Sequence, residues 1–89
     1  MSNTFIKDPD SVLDYAVDWS DWLGTDTIAT SSWTVPTGIT NDSDSNTTTV
    51  ATVFLSGGTI GQRYDLVNRI TTAAGRTADR TITIIVRSK

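Results

Sequence analysis

Apolar and polar residues alternate with a period of two in four stretches of this chain. From Val12 to Trp19, the residues Leu13, Tyr15, Val17 and Trp19 alternate with Asp14, Ala16 and Asp18. Between Thr47 and Leu55, Ala51, Val53 and Leu55 share one face, with Val50, Thr52 and Phe54 opposite. Arg63 to Thr72 sets Tyr64, Leu66, Asn68 and Ile70 against Asp65, Val67, Arg69 and Thr71. Arg80 to Arg87 turns Ile82, Ile84 and Val86 inward and leaves Ile85 as an apolar residue on the outer face. This period marks strands with one buried face. Shorter strand material lies at Asp26–Ala29, around Ile28, and at Trp33–Val35. No helical period occurs.

Turn chemistry separates these stretches. Ser20-Asp21-Trp22-Leu23-Gly24 breaks the first alternation. Pro36-Thr37-Gly38 fits a type I turn with proline at its second position. Thr40 to Asn46 reads as a surface loop by composition, Ser56 to Gly61 as a connection with three glycines, and Ala73 to Arg76 as a hairpin turn. Six or seven short strands with turns between them predict an all-β, immunoglobulin-like sandwich of two antiparallel sheets, about seven strands in all. The connection Gly58-Thr59-Ile60-Gly61-Gln62-Arg63 running into Tyr64 fits a tyrosine corner, in which the phenol bonds upstream backbone. Trp19 and Trp33 join Tyr64 as structural aromatics. Residues 1–11 are set apart as an N-terminal arm and residues 12–89 as the domain. Two readings of the arm stay open: Phe5 and Ile6 pack on the domain's own edge, or they insert into a neighbour.

Composition narrows the chemistry. The 89-residue chain has no His, no Cys and no Glu, which removes the commonest general base, the thiolate nucleophile and the best zinc ligands. Threonine suits a half-exposed pleated surface, and 17 of the residues are Thr. A net charge of -3 argues against nucleic acid as a partner. No apolar run reaches membrane-spanning length, and no secretory signal pattern opens the chain. The charge is uneven: six of the ten acids lie between Asp8 and Asp26, and six of the seven bases at Arg63 or later. Either neighbouring strands carry these charges within one molecule, or acidic and basic strands of adjacent copies meet.

Motifs that imitate known chemistry fail on inspection. Asp42-x-Asp44-x-Asn46 resembles the start of a calcium loop, but Thr47 and Val53 stand where Gly and Glu are required. The glycine-rich connection lacks the Gly-Lys-Ser/Thr ending of a phosphate cradle. Asp14 and Asp18 lie roughly 13 Å apart along one strand, beyond the about 5–9.5 Å of a glycosidase pair. No catalytic residue, cofactor or metal site is expected, and the chain is not expected to be an enzyme.

Several segments taken in order carry a resemblance. They are Lys7-Asp8-Pro9-Asp10, Leu13-Asp14-Tyr15, Asp18-Trp19-Ser20-x-Trp22-Leu23, Asp26-Thr27-Ile28 and Ser32-Trp33-Thr34-Val35-Pro36-x-Gly38. Leu55-Ser56-Gly57-Gly58-Thr59, Tyr64, Asn68-x-Ile70-Thr71-Thr72, Gly75-Arg76-Thr77 and Asp79-Arg80 follow. Over residues 7–87 the chain resembles the fibre-tail adaptors, a family of small virion proteins of tailed phages, departing from the pattern at Ile60 and Arg63. The resemblance implies an Ig-like structural protein in the phage tail, made in the bacterial host, that joins fibre or spike to tail. The implied partners are other tail and fibre proteins, with several copies in a symmetric ring. Capsid decoration (a head-fibre protein) and carbohydrate binding through Trp22, Trp33 and Phe54 are the alternatives. The candidate interface residues are Phe5, Ile6, Lys7, Asp8, Trp22, Phe54, Ile85, Arg69, Arg76 and Arg80.

Overall fold

The structure, a computed structural model, describes residues 4–87. Seven strands form two sheets: β1 (Thr4–Lys7), β2 (Leu13–Asp18), β3 (Ile28–Thr34), β4 (Ile39–Asn46), β5 (Val50–Gly57), β6 (Arg63–Thr72) and β7 (Thr77–Val86). One sheet has the order β1-β7-β6-β3 and the other β2-β5-β4. The pairs are antiparallel except β1 with β7, which is parallel. This is the sandwich that the alternation predicts.

The inward residues are those the period assigns. Tyr15, Val17 and Trp19 from β2 and its end, Ala51, Val53 and Leu55 from β5, Tyr64, Leu66 and Ile70 from β6, and Ile82, Ile84 and Val86 from β7 are all buried. Burying one Leu or Ile side chain contributes about 1.5–3 kcal/mol, so these facing rows supply most of the drive to close the sandwich.

Several elements differ from the sequence reading, each for a physical reason. The stretch set apart as an arm is, over Thr4–Lys7, a strand of the four-stranded sheet, running from Thr4 opposite Thr83 to Lys7 opposite Val86. Met1 to Asn3 lie outside the described residues. Thr40 to Asn46, expected as a loop, belong to β4. This is an edge strand largely exposed on both faces, so its composition carries no alternation, and a bulge between Asn41 and Ser43 shifts its phase on β5. Polar, bulged edges also discourage pairing with other chains. The two short pieces at Asp26–Ala29 and Trp33–Val35 are one strand, β3. A bulge between Ile28 and Thr30 changes its phase, so Ser31 and Trp33 face inward where unbroken alternation from Ile28 points the other residues. The segment after β2 is one helical turn, α1 (Ser20–Leu23), closed by the Leu23 amide donating to the Trp19 carbonyl at 2.9 Å. The last strand starts at Thr77, three residues earlier than the alternation alone shows.

Candidate functional site

The two ends of the sandwich are built differently. At the first, β2 runs out into α1, and the β6–β7 hairpin turn lies beside it. Trp19 is 1% exposed, and its Nε1 donates to Asn68 Oδ1 at 2.9 Å. Asn68, itself fully buried on β6, donates from Nδ2 to the Ser31 hydroxyl (2.9 Å) and the Ser32 carbonyl (3.0 Å) of β3. Trp22 meets Trp19 edge to face with ring centroids 5.4 Å apart. Two arginines close this end: Arg76 stacks 4.2 Å over Trp22 and Arg80 4.3 Å over Trp19. Arg76 also donates to Asp26 Oδ2 (3.1 Å) and the Leu23 carbonyl (3.0 Å), and Arg80 to the Asp18 carbonyl (2.9 Å). Asp26 is tied further by the Thr27 and Ala74 amides. Hydrogen bonds, first from the Thr72 hydroxyl, hold its carboxyl down to about 2.

The second end gathers the start of β2, the end of β7, the end of β1 and the β5–β6 connection. Tyr64 Oη accepts from the Thr59 amide at 3.0 Å, the bond of a tyrosine corner. Two glycines press on that ring. A Cβ at Gly38 would stand 3.0 Å from Tyr64 Cε1, and one at Gly58 would stand 2.7 Å from Val86 Cγ2 and 3.6 Å from Tyr64 Cε2. Both have positive φ, 107° and 97°, so the turn and the packing demand glycine together. Phe5 packs on Tyr15 at 5.3 Å. The fully buried Lys7 donates from Nζ to the carbonyls of Asp8 (2.8 Å) and Gly57 (2.9 Å), and burial lowers its pKa.

The ten candidate interface residues therefore separate. Lys7 is inside, clasping β1 to the end of β5. Phe5, Asp8, Trp22, Ile85 and Arg80 are half-buried, and Ile85 lies between Ile6 and Arg63 on the outer face of the four-stranded sheet. Arg69 forms a two-pronged pair with Asp79, directly opposite on β7, at 2.8 and 3.0 Å. Arg76 and Arg80 are engaged as described. Phe54 and Ile6 are exposed, on the outer faces of the two different sheets. Of the three aromatics considered as a sugar platform, Trp22 lies at the first end, Trp33 faces inward opposite Asn68, and Phe54 faces out from the other sheet. They share no face. Two exposed apolar residues outside the candidate set, Val12 and Ile60, join Ile6 and Phe54. Ile60 carries a sequence signal, a bulky apolar residue in a glycine-rich connection, whereas Val12 sits beside a regular strand and carries none.

Among the described residues no group of three or more His, Cys, Asp or Glu could hold a metal ion. Asp42 instead accepts from the Ser56 hydroxyl, and Asp44 from the Asn41 amide. No helix among the described residues is long and apolar enough to cross a membrane.

The fold and these contacts define an Ig-like β-sandwich in which Trp19, Asn68, Arg76 and Arg80 hold one end together and Lys7 and Tyr64 the other. The solution structure of the PKD domain from the KIAA 1837 protein is similar in fold, with a TM-score of 0.58 and 18% identity over 99% of this chain and 81% of that one. No curated protein matches the sequence. The family model described as podophage GP4 fiber-tail adaptor protein gp77 matches residues 7–85. The chain belongs to that family.

Proposed function

We propose that this chain is a non-catalytic structural protein of the phage tail that joins a fibre or spike to it, with other tail and fibre proteins as partners and several copies in each particle. The observation that carries the reading is the family match over residues 7–85, which leaves out of the seven strands only the first three residues of β1 and the last of β7. The chemistry agrees with it. The acidic side chains with lowered pKa, Asp18, Asp26, Asp65 and Asp79, owe their shifts first to hydrogen bonds that tie the fold together. A general acid or base working near neutrality needs the opposite shift.

Immunogold electron microscopy of intact particles, with an antibody against this domain, tests the reading. Label at the roots of the tail fibres is the expected result. Label spread over the capsid would assign the chain to head decoration, and unlabelled particles would remove it from the virion.

A further inference from the structure

An open sandwich has edges, and an unguarded edge invites another strand. The four-stranded sheet ends on β1 and β3, and the other sheet on β2 and β4. Most of these edges carry features that discourage pairing. Strand β2 has Asp14 and Asp18, and β4 has Asp42, Asp44 and its bulge. Strand β1 is four residues long and ends in the buried Lys7. The stretch of β7 before Thr83, which the described part of β1 does not reach, carries Asp79 and Arg80. Strand β3 is different. Its seven residues include no charge, no proline and no glycine. Its bulge lies at the start, between Ile28 and Thr30, and from Thr30 to Thr34 the register on β6 is unbroken. In an antiparallel ladder alternate residues turn both backbone groups away from the partner strand. Over Thr30–Thr34 no such group meets backbone outside the ladder, among the described residues.

The residues of this edge select its occupant. Thr30, Ser32 and Thr34 are exposed on the outer face, beside Thr71, Arg69 and Val67 of β6. Arg69 is neutralised there by Asp79. A second β3, antiparallel and centred on Ser32, pairs the whole regular run from Thr30 to Thr34. Ser32 then faces its own copy, and Thr30 faces Thr34 of the second copy. Thr–Thr and Thr–Ser pairs across strands are favourable, and no like charges meet. Two copies joined along β2 or along β4 would instead bring aspartates together. The edge of β3 therefore suits a second copy of this chain. Size sets the strength. The paired run spans about 17 Å by strand rise. A standard interface takes about 800 Å² from each partner, more than one strand edge of this length supplies, so free copies pair weakly and copies held close together pair readily.

We infer that the β3 edge from Thr30 to Thr34 is a contact between copies of this chain, in which two β3 strands pair antiparallel about Ser32 and join two four-stranded sheets into one. The inference goes beyond the adaptor reading, which places several copies in a particle without saying how they meet.

Cross-linking of the purified full chain tests it. The sequence has no cysteine, so a single substitution places the only thiol. Ser32→Cys sits on the β3 edge, and Ser45→Cys, also exposed, on the acidic edge of β4. A short bis-maleimide traps dimers, and thermal unfolding of each variant confirms that it folds, as these exposed positions permit. Pairing turns the second reaction of the reagent into an intramolecular one, so Ser32→Cys should give covalent dimer about tenfold or more faster than Ser45→Cys. Adding Thr30→Lys and Thr34→Lys to Ser32→Cys sets like charges opposite each other and should bring the rate down to that of Ser45→Cys. Adding Thr30→Lys and Thr34→Asp instead sets opposite charges there and should restore the rate. Equal rates for Ser32→Cys and Ser45→Cys would overturn the edge contact. A fast Ser32→Cys rate that the two lysines leave unchanged, or one that the lysine–aspartate combination fails to restore, would overturn the antiparallel pairing about Ser32.

Discussion

Asn68 is the residue on which the first end most depends, and replacing it with Leu measures that dependence. The substitution keeps the bulk of the side chain and removes its amide. Trp19 Nε1 then loses its 2.9 Å acceptor, and the Ser32 carbonyl loses its 3.0 Å donor. Each buried polar group left unpaired costs about 1–3 kcal/mol. The added apolar burial of Leu returns about 1–2 kcal/mol. Two such groups cost about 2–6 kcal/mol, so the net loss centres on about 2–3 kcal/mol, out of the about 4–13 kcal/mol expected for a domain of this size. Urea unfolding followed by far-ultraviolet circular dichroism reads this directly. With a slope of about 1–1.5 kcal/mol per molar, the midpoint should fall by about 2 M. Trp19→Phe removes the donor of the same bond, so in the double variant the two losses should overlap by about 1 kcal/mol or more. A midpoint for Asn68→Leu within about 0.5 M of wild type, or two strictly additive losses, would refute the claim that the first end depends on this network.

The corner, its glycines and the acid limb give further expectations. Tyr64→Phe should cost about 1 kcal/mol and speed hydrogen exchange at the Thr59 amide, which loses its 3.0 Å acceptor. Gly58→Ala should destabilise by about 2 kcal/mol or more in urea, since its Cβ would sit 2.7 Å from Val86 Cγ2 at a φ of 97°. Gly61→Ala shares the positive φ, at 86°, but meets nothing within 4 Å, so its smaller loss isolates the steric part. The Asp26 carboxyl is held at about 2, below its ordinary 3.8, so the unfolded chain takes up this proton first as pH falls. Stability is present above the ordinary value and is lost as pH falls toward the folded one. Acid titrations should show it declining between about pH 4 and 2, with a shallower decline in Asp26→Asn.

The alternation made the fold legible where a strand has one wet and one dry face. The residues read as inward in β2, β5, β6 and β7 are the ones that pack together, because period two leaves no other consistent burial. It failed where that condition fails. Strand β4 has little of itself buried beyond Ile39 and Asn41, and β3 is thrown out of phase by a bulge, so neither pattern advertises a strand. The motifs behind the family resemblance were legible for a different reason. Pro36-x-Gly38, Gly57-Gly58 and Tyr64 converge at the corner, while Trp19, Trp22, Asp26, Asn68, Arg76 and Arg80 converge at the other end. They are distinctive because they fix the two ends of the sandwich. For the same reason they said little about the exposed apolar residues: Val12 and Ile60 fall outside every one of these motifs.

The uneven charge of the sequence illustrates how far a linear pattern can be carried. Acids early and bases late suggested that one copy could meet the next. In the folded chain the late arginines reach back to the early acids. Arg76 binds Asp26, and Arg80 lies over Trp19 with its guanidinium on the Asp18 carbonyl. Both close the first end as much by covering Trp22 and Trp19 as by charge, and an arginine stacked on an aromatic is not replaceable by another charge. Reversing either one would leave an acid facing an aromatic ring and an existing acid or carbonyl, so the loss would fall first on folding. A failure of such variants to assemble would thus say nothing about contacts between copies. Asp14 differs from these: it is exposed on a regular strand, opposite Phe54, and among the described residues no ion pair includes it, so its reversal disturbs the fold least.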